Sequence, residues 1–210
     1  MSNPGAVAAA SPSKPYLTPY SAEVIDLPLV FERVAGVPWL TYTDALPQDR
    51  MFGVLWARCG IGRGGKILWP MVHTLRQRRC MLKRLCRVCG QSAADPGEPD
   101  RTWWIIPSPP PGGLPATWPA TSPPTCKACI AVALGACPHL RHGSPVVCTV
   151  GAYGPVGVLG NLYGEDNGRA VETQHQIGIG LDEPHLFRRA LATQLIVQLN
   201  DLRPADVLVS

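Results

Sequence analysis

Cys86-Arg87-Val88-Cys89-Gly90 and Cys126-Lys127-Ala128-Cys129 are the residues of this chain best suited to chemistry, because two Cys-x-x-Cys pairs offer four thiolates to one ion. Glycine after the first pair lets the backbone turn sharply, so that amide N–H groups can face the sulfurs. The second pair heads an apolar run, Cys126 to Leu134, that reads as the first turns of a helix. The partial positive charge and unpaired N–H groups of a helix start favour thiolate over thiol. The expected cofactor is one structural Zn2+ held by Cys86, Cys89, Cys126 and Cys129.

The eight cysteines have duller readings. Disulfides need an oxidising compartment, and the start of the chain shows neither a basic segment nor a long apolar one of the secretory kind. A thioredoxin-type redox pair needs a single Cys-x-x-Cys between a strand and a helix, a context absent here. A second metal site could come from Cys137, His139 and His142 with Cys148 nearby. The spacing is irregular, and two histidines at a helix C-terminus, interacting with its last carbonyls, are the preferred reading.

Charge is distributed unevenly. The net charge is +4, yet residues 50–94 hold ten Lys or Arg and no Asp or Glu, so one field of positive sign is concentrated there. A helix from Trp69 or Pro70 to Leu85 should carry Leu68, Met71, Val72, Leu75 and Leu82 on an apolar side. His73, Arg76, Cys80, Lys83, Arg84 and Arg87 then lie opposite, with Arg79 projecting into the stripe. Arginine binds phosphate bidentately, so Arg76, Lys83, Arg84 and Arg87, with Arg63 and Lys66, are the expected nucleic-acid contacts. A solvated charged face is the plain alternative. Trp56, Trp69, Trp103 and Trp104 could stack on bases, although burial in the core is the commoner fate of tryptophan.

The segment Gly60-Ile-Gly-Arg-Gly-Gly-Lys66 matches most of a P-loop, but Ile67 stands where Ser or Thr must hold Mg2+. It reads as a glycine-rich turn that could approach a backbone phosphate. An enzymatic site using His139, His142 or the Glu165/Asp166 turn has no paired geometry behind it.

Knuckle, hairpin, then a helix bearing the second cysteine pair is an order that resembles a treble-clef zinc finger over roughly residues 85–140. It also resembles the zinc-bearing form of the HNH nuclease fold. That resemblance implies a general-base histidine on the first hairpin strand and a metal-binding histidine beside the last cysteine. Here Thr102-Trp103-Trp104-Ile105 and Ile130 occupy those places, and Trp and Ile neither take a proton nor bind a metal ion. A divergent HNH-like nuclease is therefore the third function considered. The layout is also similar to that of uncharacterised actinobacterial zinc-finger proteins, which implies no activity.

The elements that must position these residues follow from periodicity and breakers. Residues 1–20 read as a flexible tail, 21–84 as N-terminal strands and the basic helix, and 85–142 as the zinc module. Residues 143–210 read as strands closed by a helix. Met51–Arg58 and Thr102–Pro107 are expected strands. Ser108–Pro124, with seven prolines, should be an extended loop, either a spacer or a protein-docking segment. Pro145–Gly151, Gly154–Tyr163 and Val171–Leu181 read as strands around the turn at Gly164–Gly168. Asp182 should cap a helix running to about Leu202, apolar on more than one face and suited to deep packing or a homodimer.

The expectation is an α+β protein with a small antiparallel sheet and two or three helices, soluble and cytoplasmic, with no membrane span. Its leading function is non-catalytic nucleic-acid binding, to DNA or RNA. The alternative is a structural or adaptor protein with protein partners at the Pro-rich loop and C-terminal helix.

Overall fold

The structure, a computed structural model, describes residues 14–206. Asn167 and Gly168 both have positive φ, 48° and 77°, the backbone pair that a tight two-residue hairpin requires. They join β7 (Val146–Asp166) to β8 (Arg169–Gly180) in antiparallel register from Asp166↔Arg169 to Gly157↔Gly180. On its other side β7 pairs with β9 (Ala190–Pro204), from Cys148↔Pro204 to Leu162↔Ala190. These long strands form the centre of a seven-stranded mixed sheet. Its main path is β3 (Arg50–Met51), β4 (Val54–Trp56), β9, β7 and β5 (Thr102–Ile106). β6 (Thr117–Ala120) joins it on β9. β1 (Leu29–Val34) and β2 (Val37–Tyr42) make a separate antiparallel hairpin.

This corrects the α+β expectation. Strand makes up 42% of the structure and helix 18%, so a large mixed sheet, not a small antiparallel one, organises the chain. Among the described residues the four α-helices are α1 (Thr74–Lys83), α2 (Lys127–Ala136), α3 (Pro138–Arg141) and α4 (Pro184–Phe187). The C-terminal helix expected from Asp182 stops at Phe187, and Ala190–Pro204 is a central strand. Along it Ala190, Ala192, Leu195, Val197 and Leu199 are buried. The register slips where Leu159↔Gln194 is followed by Gly160↔Ala192. That bulge turns a spacing of two into one of three and so imitates a helical face. The segment expected to offer a helical face for a homodimer is therefore a strand.

The two strands expected between Pro145 and Tyr163 are one strand, β7, with Gly154 and Pro155 inside it. The Pro-rich stretch is not wholly a loop. Thr117–Ala120 pairs with β9 at Thr117↔Asn200 through Ala120↔Val197, and Pro119 is tolerated because β6 lies at an edge. Of the expected flexible tail, residues 1–13 lie outside the described residues. Tyr16 and Leu17 are tied down, their amides donating to the Val88 and Arg87 carbonyls at 2.8 and 3.0 Å.

α1 packs on the sheet with a face that inverts the expected one. Thr74, Arg76, Gln77, Cys80 and Met81 are buried, whereas Met71 and Leu82 are exposed. Gln77 shows why. Along β9, β4 pairs with Leu191 and Ala192 and β6 with Val197 to Asn200, which leaves Leu195 without a strand partner on that edge. The Gln77 side chain fills the gap. Its Oε1 accepts from the Leu195 amide at 2.9 Å, and its Nε2 donates to the Leu195 carbonyl at 2.9 Å and to the Thr121 carbonyl at 2.8 Å. A fully buried amide in mid-helix is thus satisfied by the backbone it completes.

Gln77→Met keeps the bulk and strands the Leu195 N–H and C=O. A loss of about 2–4 kcal/mol in urea unfolding is expected, since each buried unpaired backbone group costs about 1–3 kcal/mol. A loss under about 0.5 kcal/mol would remove Gln77 from this role. No helix among the described residues is long and apolar enough to cross a membrane.

Candidate metal centre

The first cysteine pair sits on a knuckle built by its own backbone. The Cys86 amide donates to Gln91 O at 2.7 Å, the Gly90 amide returns to Cys86 O at 2.8 Å, and the Val88 amide points at Cys86 Sγ at 3.3 Å. Gly90 has φ +75°, and a Cβ there would stand 2.9 Å from the Tyr16 ring, so glycine is needed for both conformation and clearance. The second pair opens α2, with Cys126 as the extended N-cap residue and the Cys129 amide donating to Cys126 O at 2.9 Å. The Arg87 amide donates to Pro124 O at 2.8 Å and sews the two halves together.

All four sulfurs lie within 4.8 Å of one another, with Cys89 Sγ and Cys126 Sγ 3.7 Å apart. A tetrahedron with metal–sulfur bonds of about 2.3 Å has edges of about 3.8 Å, so the spacing fits one bound ion. It does not fit disulfides, which bring sulfurs to about 2.05 Å, and all eight cysteines are free. Cys86, Cys89, Cys126 and Cys129 can therefore hold one metal ion.

Electrostatics agree with a site built for a cation. Without one, the hydrogen bond from the Cys126 thiol, aided by amide donors, pulls the Cys86 thiol down to about 5 against the cost of burial. Cys126 is shifted upward because it keeps the proton that faces Cys86, and burial pushes Cys129 up to about 12. Four sulfurs, two buried and two half-buried, tolerate little more than one negative charge unaided, and a divalent ion would reverse that balance.

β5 fixes the site to the sheet. Every residue of Thr102–Ile106 is buried. Trp103 and Ile105 pack with Cys86, Cys129 and Ile130 in a small core around the cysteines, while Trp104 and Ile106 enter the main core with Val54, Val158 and Leu195. The strand next to the site in sequence is thus shared by two cores. It pairs with β7, and β6 pairs with β9, so the hairpin of a treble clef does not form between the two cysteine pairs.

The other candidate residues separate. Among the described residues, the four knuckle cysteines are the one group of three or more His, Cys, Asp or Glu side chains that converges tightly enough for a metal. Cys137 lies between α2 and α3, His139 and His142 are exposed, and Cys148 is buried in the main core. Glu165 and Asp166 sit at the hairpin tip, where Glu165 meets Arg33 at 3.5 Å. Both ends of the Gly60–Lys66 turn bond to a neighbouring segment: the Gly60 amide donates to Glu23 O at 2.8 Å and the Lys66 amide to Ser21 Oγ at 3.0 Å.

Two of the expected phosphate ligands are engaged elsewhere. Arg76 is buried, ion-paired with buried Glu23, and donates to Thr18 O at 3.1 Å. Arg84 donates from Nε to Thr102 Oγ1 at 2.7 Å and from Nη2 to Pro99 O at 3.0 Å. Arg63, Lys66 and Lys83 are exposed, and Arg87 is half-buried. Sequence reasoning missed the buried trio Glu23, His73 and Arg76, whose members are fifty residues apart in part and carry no local spacing signal.

No protein-family model, curated protein or solved structure matches the chain.

Proposed function

We propose that the ion is a single structural Zn2+ and that the protein is a non-catalytic, zinc-stapled β-sheet protein that binds nucleic acid beside the knuckle. Four cysteines with no open position suit a structural ion, whose part is to fix the fold and not to activate water. Arg87, next to Cys86 and Cys137 in a desolvated setting, offsets the negative charge of a four-thiolate centre.

The observation that carries the nucleic-acid reading is a strap of alternating basic and aromatic side chains against the knuckle. The Arg63 guanidinium lies 5.6 Å from the Tyr16 ring centroid, and the Lys14 ammonium 5.5 Å from that of Tyr20. Tyr16 itself abuts Gly90. Half-buried rings beside exposed cations serve both stacking, on the face left open, and phosphate attraction. With Arg76 and Arg84 engaged, the phosphate contacts fall to Arg63, Lys66 and Lys83, with Trp69, 60% exposed, as a further stacking surface.

Fluorescence anisotropy of zinc-loaded protein with labelled DNA and RNA across a salt series tests this. Affinity should fall steeply with salt, and an Arg63/Lys66/Lys83 triple-alanine variant should flatten the log–log slope by about 2–3, close to one per lost phosphate contact. Arg169→Ala, at the far hairpin tip, should change nothing. Absence of binding at low salt, or a triple variant that behaves like the parent, rejects the reading.

A further inference from the structure

A cleft of about 330 Å³ opens where the end of α1 meets the sheet. Its floor is apolar, formed by Met81, Tyr153, Pro155 and Val197, and its polar rim carries Arg84 and Asp100. The volume suits a small molecule and is too small for a folded partner.

Arg84 is held there at a conformational cost. It is the C-cap of α1, in the left-handed region with φ 54° and ψ 44°, where glycine is the usual choice. A side chain kept at a strained position points to use of that side chain. The bonds from Nε to Thr102 and from Nη2 to Pro99 lock the guanidinium, and Nη1 has no hydrogen-bond partner among the described residues. Asp100 also lines the cleft, and its carboxylate accepts no hydrogen bond from the described residues. Neither Arg84 nor Asp100 forms an ion pair with any described residue, including the other. Tyr153 cannot serve as the missing acid, because its hydroxyl donates to Met81 O at 2.8 Å.

A locked cation and an uncommitted anion thus share one apolar-floored cleft without neutralising each other. We propose that this cleft binds a small zwitterion with an apolar side chain, of the α-amino-acid class. The carboxylate meets Arg84 Nη1, the ammonium meets Asp100, and the side chain lies against Met81, Tyr153, Pro155 and Val197. Opposite charges at the rim disfavour ligands that carry one sign alone, because one rim group is then left facing a bare or like charge. The site stands apart from the nucleic-acid reading, which makes no use of the cleft.

Titration calorimetry and amide chemical shifts of the zinc-loaded full chain test it with L-phenylalanine and L-leucine. 3-Phenylpropionate, which lacks the ammonium, and phenethylamine, which lacks the carboxylate, are the comparison ligands. At least one amino acid should bind, shifting the Gly151 and Ala152 amides, and L-phenylalanine should bind at least tenfold tighter than either single-charge analogue. Arg84→Gln should bring phenylalanine down to the phenethylamine level, and Asp100→Asn down to the phenylpropionate level. Arg84→Gln also removes the side-chain bonds to Thr102 and Pro99, so Ala152→Trp at the exposed rim provides a second variant that obstructs the cleft without entering the core. It should abolish binding. No binding of either amino acid at millimolar concentration, equal affinity for all three phenyl ligands, or full affinity in Ala152→Trp overturns the proposal.

Discussion

Stripping the metal is expected to unfold the sheet together with the metal module, in one transition. The reason lies in β5. Trp103 and Ile105 are held by the core around the cysteines, and Trp104 and Ile106 by the main core, so the strand cannot lose one set of neighbours and keep the other in place. β7 in turn pairs with β5 over Val146–Val150, and the Trp104 indole donates to Ser122 O at 3.0 Å in the segment that leads to the second cysteine pair. Structural zinc contributes about 10–16 kcal/mol to the folding of isolated zinc-finger peptides. If even about a third of that is expressed here, a chain of this size should melt about 10 °C lower or more, at about 2–4 °C per kcal/mol. Chelation and Cys129→Ser should give the same result in calorimetry, with metal content near zero by elemental analysis in both. Two separated transitions, or a variant that melts like the parent, would show that the module is merely attached to the sheet.

What could be read from the sequence was local. The two cysteine pairs, the helix after Cys126, the Thr102–Pro107 strand and the turn before Arg169 all depend on residues within a few positions of one another. What could not be read depends on partners far along the chain. The bulge at Thr193 disguises β9 as a helical pattern. The strand partner of Leu195 is a glutamine side chain more than a hundred residues earlier. β5 and β6 lie in sequence like a hairpin, yet each pairs with a different long strand. The basic run was legible as composition but not as surface, because the acid that buries Arg76 lies fifty-three residues before it.

That acid sets the second large effect. Arg76→Met should destabilise the protein by about 3–5 kcal/mol, the usual cost of leaving a buried charge without its partner. Glu23 is 1% exposed, and among the described residues its carboxylate accepts from Arg76 and from the Tyr20 amide, the latter at 2.9 Å. Adding Glu23→Gln to Arg76→Met should recover a large part of the loss, because the double variant buries no bare charge. A double variant no better than the single one would place the cost in lost packing instead.

His73 completes the cluster and gives it a pH dependence. Its Nδ1 accepts from the Arg76 amide and its Nε2 faces Gly60 O at 2.9 Å, so the ring is neutral with the proton on Nε2. Burial lowers its pKa below the ordinary 6.5, partly offset by the Gly60 carbonyl, with the Arg76 charge lowering it further. The unfolded chain therefore binds the extra proton first. The His73 contribution is complete above pH 6.5 and is lost as pH falls below it toward the folded-state value. His73→Gln keeps an N–H for Gly60 O and cannot take a proton in this range. The stability difference between parent and His73→Gln should accordingly shrink between pH 7.5 and 5.5. Both proteins share the cysteine site, so acid release of the metal cancels in that difference. Asp49 and Asp201 are both held below their ordinary 3.8 by arginine hydrogen bonds and titrate outside this window. A pH-independent difference would mean that His73 takes up its proton as readily in the folded protein as in the unfolded chain, against the burial and the Arg76 amide bond to Nδ1 that disfavour it.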